Sequence, residues 1–371
     1  MKTKAAVVYQ TGKPIVIEEL ELDEPRDGEV LIRYTHAGLC HSDVHIAHGD
    51  LEARLPMVLG HEGAGIIEEV GPGVTRVKPG DHVVCSFIPN CGTCRYCASG
   101  QQSICDMGAT ILEGYLPGER FPLSGPAGSY GAMCMLGTFS QYGVIHQNSA
   151  VKVDDDLPLD KAVLVGCGVP TGWGSAVNTA DVRPGQVVAV YGVGGIGINA
   201  VQGARYAGAK YVVAIDPLEN KREKALELGA THAFATAEEA QDAITSLTRG
   251  QGADAAILTP GLLTSEIVLS GFNAVGKGGV VVVTGLNKLM EQTIELPGTI
   301  LTLYRKSVKG SLFGDCNPTV DIPRILGLYQ AGDLKLDEII TRTYKLEEVN
   351  EGYDDLLNGK NVRGVMIHDH S

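Results

Sequence analysis

Residues 187–217, VVAVYGVGGIGINAVQGARYAGAKYVVAIDP, carry a sharp change of pattern. An apolar run from Val187 to Tyr191 stops at a cluster of glycines. A stretch with helical spacing follows, and a second apolar run, Tyr211 to Ile215, ends at Asp216. Short continuous apolar runs read as strands buried on both faces, and alternation with a helical stretch predicts a βαβ unit with parallel strands. Further strand-like runs follow at THAF (231–234), DAAIL (254–258), VVVVTG (280–285) and SVKGSLF (307–313), again alternating with helical patterns. Together they predict a doubly wound α/β sheet of about six strands over residues 170–311. Residues 1–169 have another rhythm, short β runs broken by Gly and Pro turns, which predicts a mainly-β domain. The tail, YKLEEVNEGYDDLLNGKNVRGVMIH, is expected to return to that first domain, giving 1–169 with 312–371 as one domain and 170–311 as the other.

A length of 371 residues agrees with two domains. The formal charge of −14, with no basic block, argues against nucleic acid or an anionic membrane as partner. The N-terminal apolar run is too short for a signal-peptide core, and no stretch has the length of a membrane span. The expected location is the cytoplasm, where thiols stay reduced.

Against that background CGTCRYCASGQQSIC places Cys91, Cys94, Cys97 and Cys105, four of the chain's nine cysteines, in one short loop. In a reducing compartment such crowding suits a tetrathiolate zinc or an iron–sulfur cluster, with free or disulfide-bonded thiols as the plain alternative. The bacterial ferredoxin pattern continues C-x3-C-P after its first three cysteines, and no proline follows Cys105. A closed structural zinc is therefore expected, with no open position for substrate.

A second set is dispersed: Cys40 in GLCHSDVHIAHGD (38–50), His61 in GHEGAG (60–65) and Cys167 in VGCGVPTGWG (165–174). Two thiolates and one imidazole leave a coordination position open, the composition of one class of catalytic zinc site. Singly each is weak, since a lone cysteine is more often core. Their context is the glycine turn Gly192-Val193-Gly194-Gly195-Ile196-Gly197, which follows a strand and opens a helix. Asp216 lies nineteen residues after its last glycine. That arrangement is the dinucleotide fingerprint: backbone amides approach the pyrophosphate, and the acid binds ribose hydroxyls. A carboxylate there repels a 2′-phosphate, which favours NAD over NADP. Cys167 falls at the domain junction, so the zinc is expected in the cleft where nicotinamide arrives.

With GHEGAGIIEEVGPGV (60–74), the cysteine loop, the GVGGIG turn, TFSQY (138–142) and GCGVPTGWG, the chain resembles the zinc-containing medium-chain alcohol dehydrogenases over nearly its whole length. The resemblance implies a Rossmann coenzyme domain plus a mainly-β, GroES-like catalytic domain with two zinc ions per subunit. It implies Cys40, His61 and Cys167 as ligands of the catalytic zinc, Glu62 as an acid beside it, and Asp43 orienting His61. Ser42 would take the alcohol proton and pass it through the nicotinamide ribose to His45 at the surface. Lys221 would join Asp216 at the adenosine ribose, Thr171 would pack near the nicotinamide, and Arg363 would contact the pyrophosphate. Leu51, Phe87, Phe139, Leu286 and Leu312 would line an apolar pocket for a small alcohol or aldehyde. The family pairs subunits through coenzyme domains, which implies a homodimer or homotetramer.

Departures from the family pattern matter. His41 stands where the best-known members have an arginine against the pyrophosphate. Leu51 and Ala109 replace the acid and arginine of the glutathione-adduct branch, which counts against a thiol-adduct formaldehyde substrate. The Gly- and Pro-dotted stretch 106–137 is long enough to fold over a cleft or form an oligomer contact; an ordinary surface loop is the plain alternative. Residues 311–344 are most similar to the actinobacterial nicotinoprotein branch, assayed with N,N-dimethyl-4-nitrosoaniline. There NAD stays bound and is re-oxidised in place by an acceptor. A conventional dehydrogenase with exchanging NAD is the rival reading; a non-catalytic NAD-binding sensor is a more distant one, since every ligand is present.

Overall fold

The computed structural model describes residues 1–288 and 293–370. The chain folds into two compact units, Met1–Cys167 with Asn317–Ser371, and Gly168–Cys316.

The first unit is built on strands β1 (Lys2–Val8), β2 (Val16–Leu22), β3 (Glu29–Gly38), β4 (Met57–Val58), β5 (Glu62–Val70), β6 (His82–Cys85), β7 (Leu123–Gly125), β8 (Gly128–Ala132), β9 (Tyr142–His146) and β10 (Ala150–Lys152). Strands β1, β2, β7, β8 and β4 close a barrel. Ala5, Val7, Leu20, Val58, Leu123 and Tyr130 contribute to its apolar core. The stretch 106–137 is thus not a plain surface loop throughout: it supplies β7 and β8, paired antiparallel with Leu123 opposite Tyr130 and Gly125 opposite Gly128.

The second unit contains β11 (Val187–Tyr191), β12 (Tyr211–Ile215), β13 (His232–Phe234), β14 (Ala253–Leu258), β15 (Val275–Val283) and β16 (Ser307–Gly310). They form one sheet in the order β13-β12-β11-β14-β15-β16, parallel throughout. This is the expected doubly wound sheet, with strand order reversing at β11. Its central strands are apolar because both faces are covered: every residue of β11 is buried.

Strands β17 (Ile340–Lys345) and β18 (Arg363–Ile367) belong to the first unit again. They complete a seven-stranded sheet, β10-β6-β5-β3-β18-β17, with β9 also paired to β3. Its register brings three chain segments together, for Gly38 of β3 lies opposite Glu62 of β5 on one side and Val365 of β18 on the other. Helix α1 (His41–His48) follows β3 directly. Among the described residues no helix is long and apolar enough to cross a membrane.

Candidate active site

Cys40 is the N-cap of α1, with extended backbone at φ −132° and ψ 152°. The helix starts here because Asp43, at its third position, reaches back and accepts the Cys40 amide at 3.1 Å. It stops at Gly49, which is left-handed at φ 85°. His61 follows Gly60, whose φ is +89°; a Cβ there would come within 2.4 Å of Thr138 Oγ1 and 2.7 Å of the Phe139 ring. Only glycine permits this turn. Cys167 closes the N-terminal part of the same unit.

One donor atom each from Cys40, His61, Glu62 and Cys167 lie within 4.8 Å of one another, and all four residues are buried. The Asp43 carboxylate holds His61 Nδ1 at 3.0 Å and accepts the Gly60 amide at 3.2 Å through the same oxygen. That fixes the imidazole with Nδ1 as donor, which leaves Nε2 as the lone-pair atom. Nε2 is buried without a hydrogen-bond partner. Two thiols, an orphaned imidazole nitrogen and a span little wider than a tetrahedron of bonds of about 2.0–2.3 Å fit zinc.

The anionic neighbours of the imidazole favour positive charge at this set, which a bound cation would supply. A hydrogen bond from Cys167 holds the Cys40 thiol well below its usual pKa, while the Cys167 thiol is pushed well above its own. Burial opposes charge on His61, yet Asp43 and Cys40 hold its pKa well above the usual value. Burial pushes Glu62 up to about 7, against the pull of Arg363.

Two of the expected residues have partners that the family pattern did not announce. Arg363, expected against a pyrophosphate, is buried at the start of β18, and its Nη2 donates to Glu62 Oε2. The register of β3, β5 and β18 brings these distant residues together. His45, expected at the surface, has a side chain only 8% exposed, and Asp50 Oδ2 holds its Nδ1 at 3.0 Å. Ser42 is half-buried, its Oγ 3.7 Å from Cys40 Sγ. His41 is half-buried as the first residue of α1.

Of the five expected pocket residues, Phe87 packs edge-on against the His61 ring, centroids 5.8 Å apart. Leu51 is half-buried, its amide bonded to the His45 carbonyl. Phe139 is fully buried against Gly60 and Tyr353, so it is core under the site. Leu286 and Leu312 belong to the second unit, where each is 41% exposed.

The cysteine loop gathers its four sulfurs within 4.8 Å of one another. Cys91 and Cys97 are 3.9 Å apart, as are Cys94 and Cys105. Such separations are far beyond a disulfide of about 2.05 Å and near the edge of a tetrahedron with Zn–S bonds of about 2.3 Å. Amides of Cys94 and Cys97 donate to the sulfurs of Cys91 and Cys94 at 3.3 and 3.4 Å. Against burial, amide and hydroxyl donors hold the Cys91 thiol down at about 6. The loop fits a tetrathiolate ion.

In the second unit the glycine turn links β11 to helix α2 (Gly197–Tyr206). Gly192 has φ +80°, and a Cβ on Gly197 would stand 1.9 Å from the Gly192 carbonyl oxygen. At Gly194 a Cβ would meet nothing nearer than Lys221 Nζ at 3.7 Å, so the turn leaves space that a basic side chain borders. The Gly195 carbonyl accepts the Asn199 side-chain amide, and Ile196 caps α2. Asp216 is pinned beside the turn, Oδ2 accepting the Val193 amide and Oδ1 the Leu218 amide, each at 2.9 Å. Each oxygen keeps acceptor capacity for a sugar hydroxyl. Thr171 is buried in the helix Gly168–Gly174 of this unit. The turn fits a dinucleotide.

Asp50 and Tyr353 were not apparent from sequence. HGD at 48–50 places an acid just past the His45 helix, a local signal that could have been read. Tyr353 has no signal of that kind.

A buried thiol–imidazole set in one unit and a dinucleotide turn in the other are the working parts of a zinc-binding dehydrogenase. Residues 26–155 match the alcohol dehydrogenase GroES-like domain, and residues 195–330 match the zinc-binding dehydrogenase domain. The chain is 63% identical to an NDMA-dependent alcohol dehydrogenase of Amycolatopsis methanolica over 99% of both chains. It is 60% identical to a putative alcohol dehydrogenase D of Mycobacterium tuberculosis, over 99% of this chain and 100% of that one. A crystal structure of benzyl alcohol dehydrogenase from Acinetobacter calcoaceticus matches with a TM-score of 0.92 at 30% identity, each chain fully covered. The chain belongs to the zinc-containing medium-chain alcohol dehydrogenases.

Proposed function

We propose that this alcohol dehydrogenase interconverts primary alcohols and aldehydes with NAD retained through the cycle and re-oxidised in place by an electron acceptor. The observation that carries this reading is full-length identity of 63% to a relative named for dependence on NDMA. We take it to work in the cytoplasm as a homodimer or homotetramer, with two zinc ions per subunit.

Cys40, His61 and Cys167 would hold one zinc, and Cys91, Cys94, Cys97 and Cys105 the other. When bound, the first zinc supplies a Lewis acid that lowers the pKa of a hydroxyl, and NAD supplies the hydride acceptor. Asp43 keeps His61 in the tautomer that presents Nε2. Phe87 covers the His61 ring with apolar surface, which excludes water and favours an apolar alcohol. Ser42 accepts the alcohol proton. His45 lies three residues on, on the same helix face, and takes it onward; Asp50, 23% exposed, anchors that imidazole at the edge of the solvent. Glu62 keeps a carboxylate beside the ligands, its charge balanced by Arg363. Gly192, Gly194, Gly195, Ile196 and Gly197 cradle the pyrophosphate. Asp216 and Lys221 take the adenosine ribose, with His41 and Thr171 as further cofactor contacts.

Native mass spectrometry of extensively desalted enzyme, made without added cofactor, tests the proposal. Two zincs and one NAD per subunit are expected. Two zincs without nucleotide would make NAD an exchanging substrate and defeat the retained-cofactor reading.

A further inference from the structure

Tyr353 lies in helix α3 (Val349–Leu357) of the first unit. Its hydroxyl is sealed from solvent and has no hydrogen-bond partner among the described residues. The ring packs on Phe139, centroids 6.1 Å apart. The Phe139 ring in turn closes on Gly60, whose amide donates to Asp43. The phenol thus belongs to the packing that surrounds the Asp43 carboxylate. Burial and then the Asp43 charge hold its pKa well above the usual value, as expected of a hydroxyl in the field of that acid.

Asp43 is itself 0% exposed, so its acceptor positions must be filled from within the protein. Oδ1 accepts from His61 Nδ1 and the Gly60 amide, and Oδ2 accepts from the Cys40 amide. A carboxylate offers about four acceptor positions, which leaves one, on Oδ2. One buried donor without a partner thus stands near a buried acid with one acceptor position left. A phenylalanine would fill the same volume without burying an unsatisfied hydroxyl.

We propose that Tyr353 is a positioning residue for the metal site, its hydroxyl filling the remaining acceptor position of Asp43 in the metal-loaded enzyme and so fixing the acid that orients His61. The inference rests on the reading that Cys40, His61 and Cys167 hold zinc. Its effect is on how firmly one ligand is aimed. Losing the hydroxyl should weaken zinc retention at this site and leave the cysteine loop untouched.

The test is zinc release from desalted holoenzyme to a chromogenic chelator, comparing wild type with Tyr353→Phe. The cysteine-loop zinc serves as an internal reference in the same molecule. Expected is release of one zinc per subunit about 10-fold faster in the variant, the lower end of effects seen when an outer partner of a ligand is removed, with the other zinc unchanged. In an Asp43→Ala background, which has no side-chain acceptor, the added Tyr353→Phe change should have no further effect. Equal release from wild type and Tyr353→Phe would overturn the inference, as would an undiminished effect in the Asp43→Ala background. Failure of Tyr353→Phe to fold would overturn it too, by making the hydroxyl a structural bond. Fewer than two zincs in the wild type would instead sink the zinc reading beneath it, and the two failures are distinguishable.

Discussion

Replacing Ser42 by alanine should separate the proposed proton transfer from metal binding. The hydroxyl approaches Cys40 Sγ at 3.7 Å, beside the clustered thiol, imidazole and carboxylate donors. Turnover should fall about 100-fold, in the range general acid–base groups supply, while zinc content stays at the wild-type value. Unchanged turnover would remove Ser42 from the relay. A different residue should contribute to acid stability. His368 is 5% exposed, and its Nε2–H donates to the Thr138 carbonyl at 2.9 Å. Burial pushes its pKa down from 6.5 to about 4, against the pull of that carbonyl. Above pH 6.5 the imidazole is neutral folded and unfolded, and contributes no pH dependence. Below it the unfolded chain takes up a proton that the folded chain refuses, so stability falls between pH 6.5 and about 4. A shift of this size corresponds to about 3 kcal/mol once the pH is below both values. Thermal midpoints of wild type and His368→Gln measured from pH 7.5 to 4 should converge in slope only if another group is responsible; a shallower slope in the variant is expected.

At the scale of elements, the turn between β11 and α2 makes the sharpest demand. Gly197→Ala puts a methyl 1.9 Å from the Gly192 carbonyl oxygen and 2.6 Å from Thr259 Oγ1, contacts that only movement of the turn relieves. The variant should lose about 1–3 kcal/mol and its bound nucleotide while keeping its zinc. Absorbance of the deproteinised supernatant measures this, and full nucleotide content would deny the turn its role. The same turn was legible in sequence because everything it needs is local: an apolar strand, glycines where side chains clash, and an acid one strand later. The ends of β11 and β12 were readable for the same reason, since a strand covered on both faces is a pure apolar run. Strands β7 and β8 were not. LSG and GSYGA carry too few apolar positions to alternate, and their place is set by the barrel that closes around them. Nor could sequence pair Arg363 with Glu62, a contact made by the register of three strands. The burial of His45 depends likewise on packing around α1, which a hydrophilic stretch such as HSDVHIAH does not announce.

For the molecule as a whole, the question is whether the proposed metals and nucleotide would be held independently. The second unit has an apolar core of its own, including Val213, Ile244, Ala256, Leu258, Phe272 and Val281. The first unit has another in the barrel. The cysteine loop has neither a strand nor a sizeable helix to hold it, only the four-residue helix Arg95–Ala98 and short 3-10 turns. None of the nine cysteines forms a disulfide, so an ion held by the four thiols would stand in for a core in that loop. Cys94→Ser should therefore remove one zinc and destabilise the first unit. A loss of about 3 kcal/mol would lower the midpoint of a unit of this size by roughly 6–12 °C. The nucleotide should remain, because Gly192, Gly197 and Asp216 belong to a unit that the loop does not enter. Calorimetry paired with native mass spectrometry reads both quantities from one preparation. One zinc, one nucleotide and a lower first transition is the expected result. Loss of nucleotide together with the loop zinc would mean that the second unit cannot keep its ligand once the first is loosened, and independent retention would have to be abandoned.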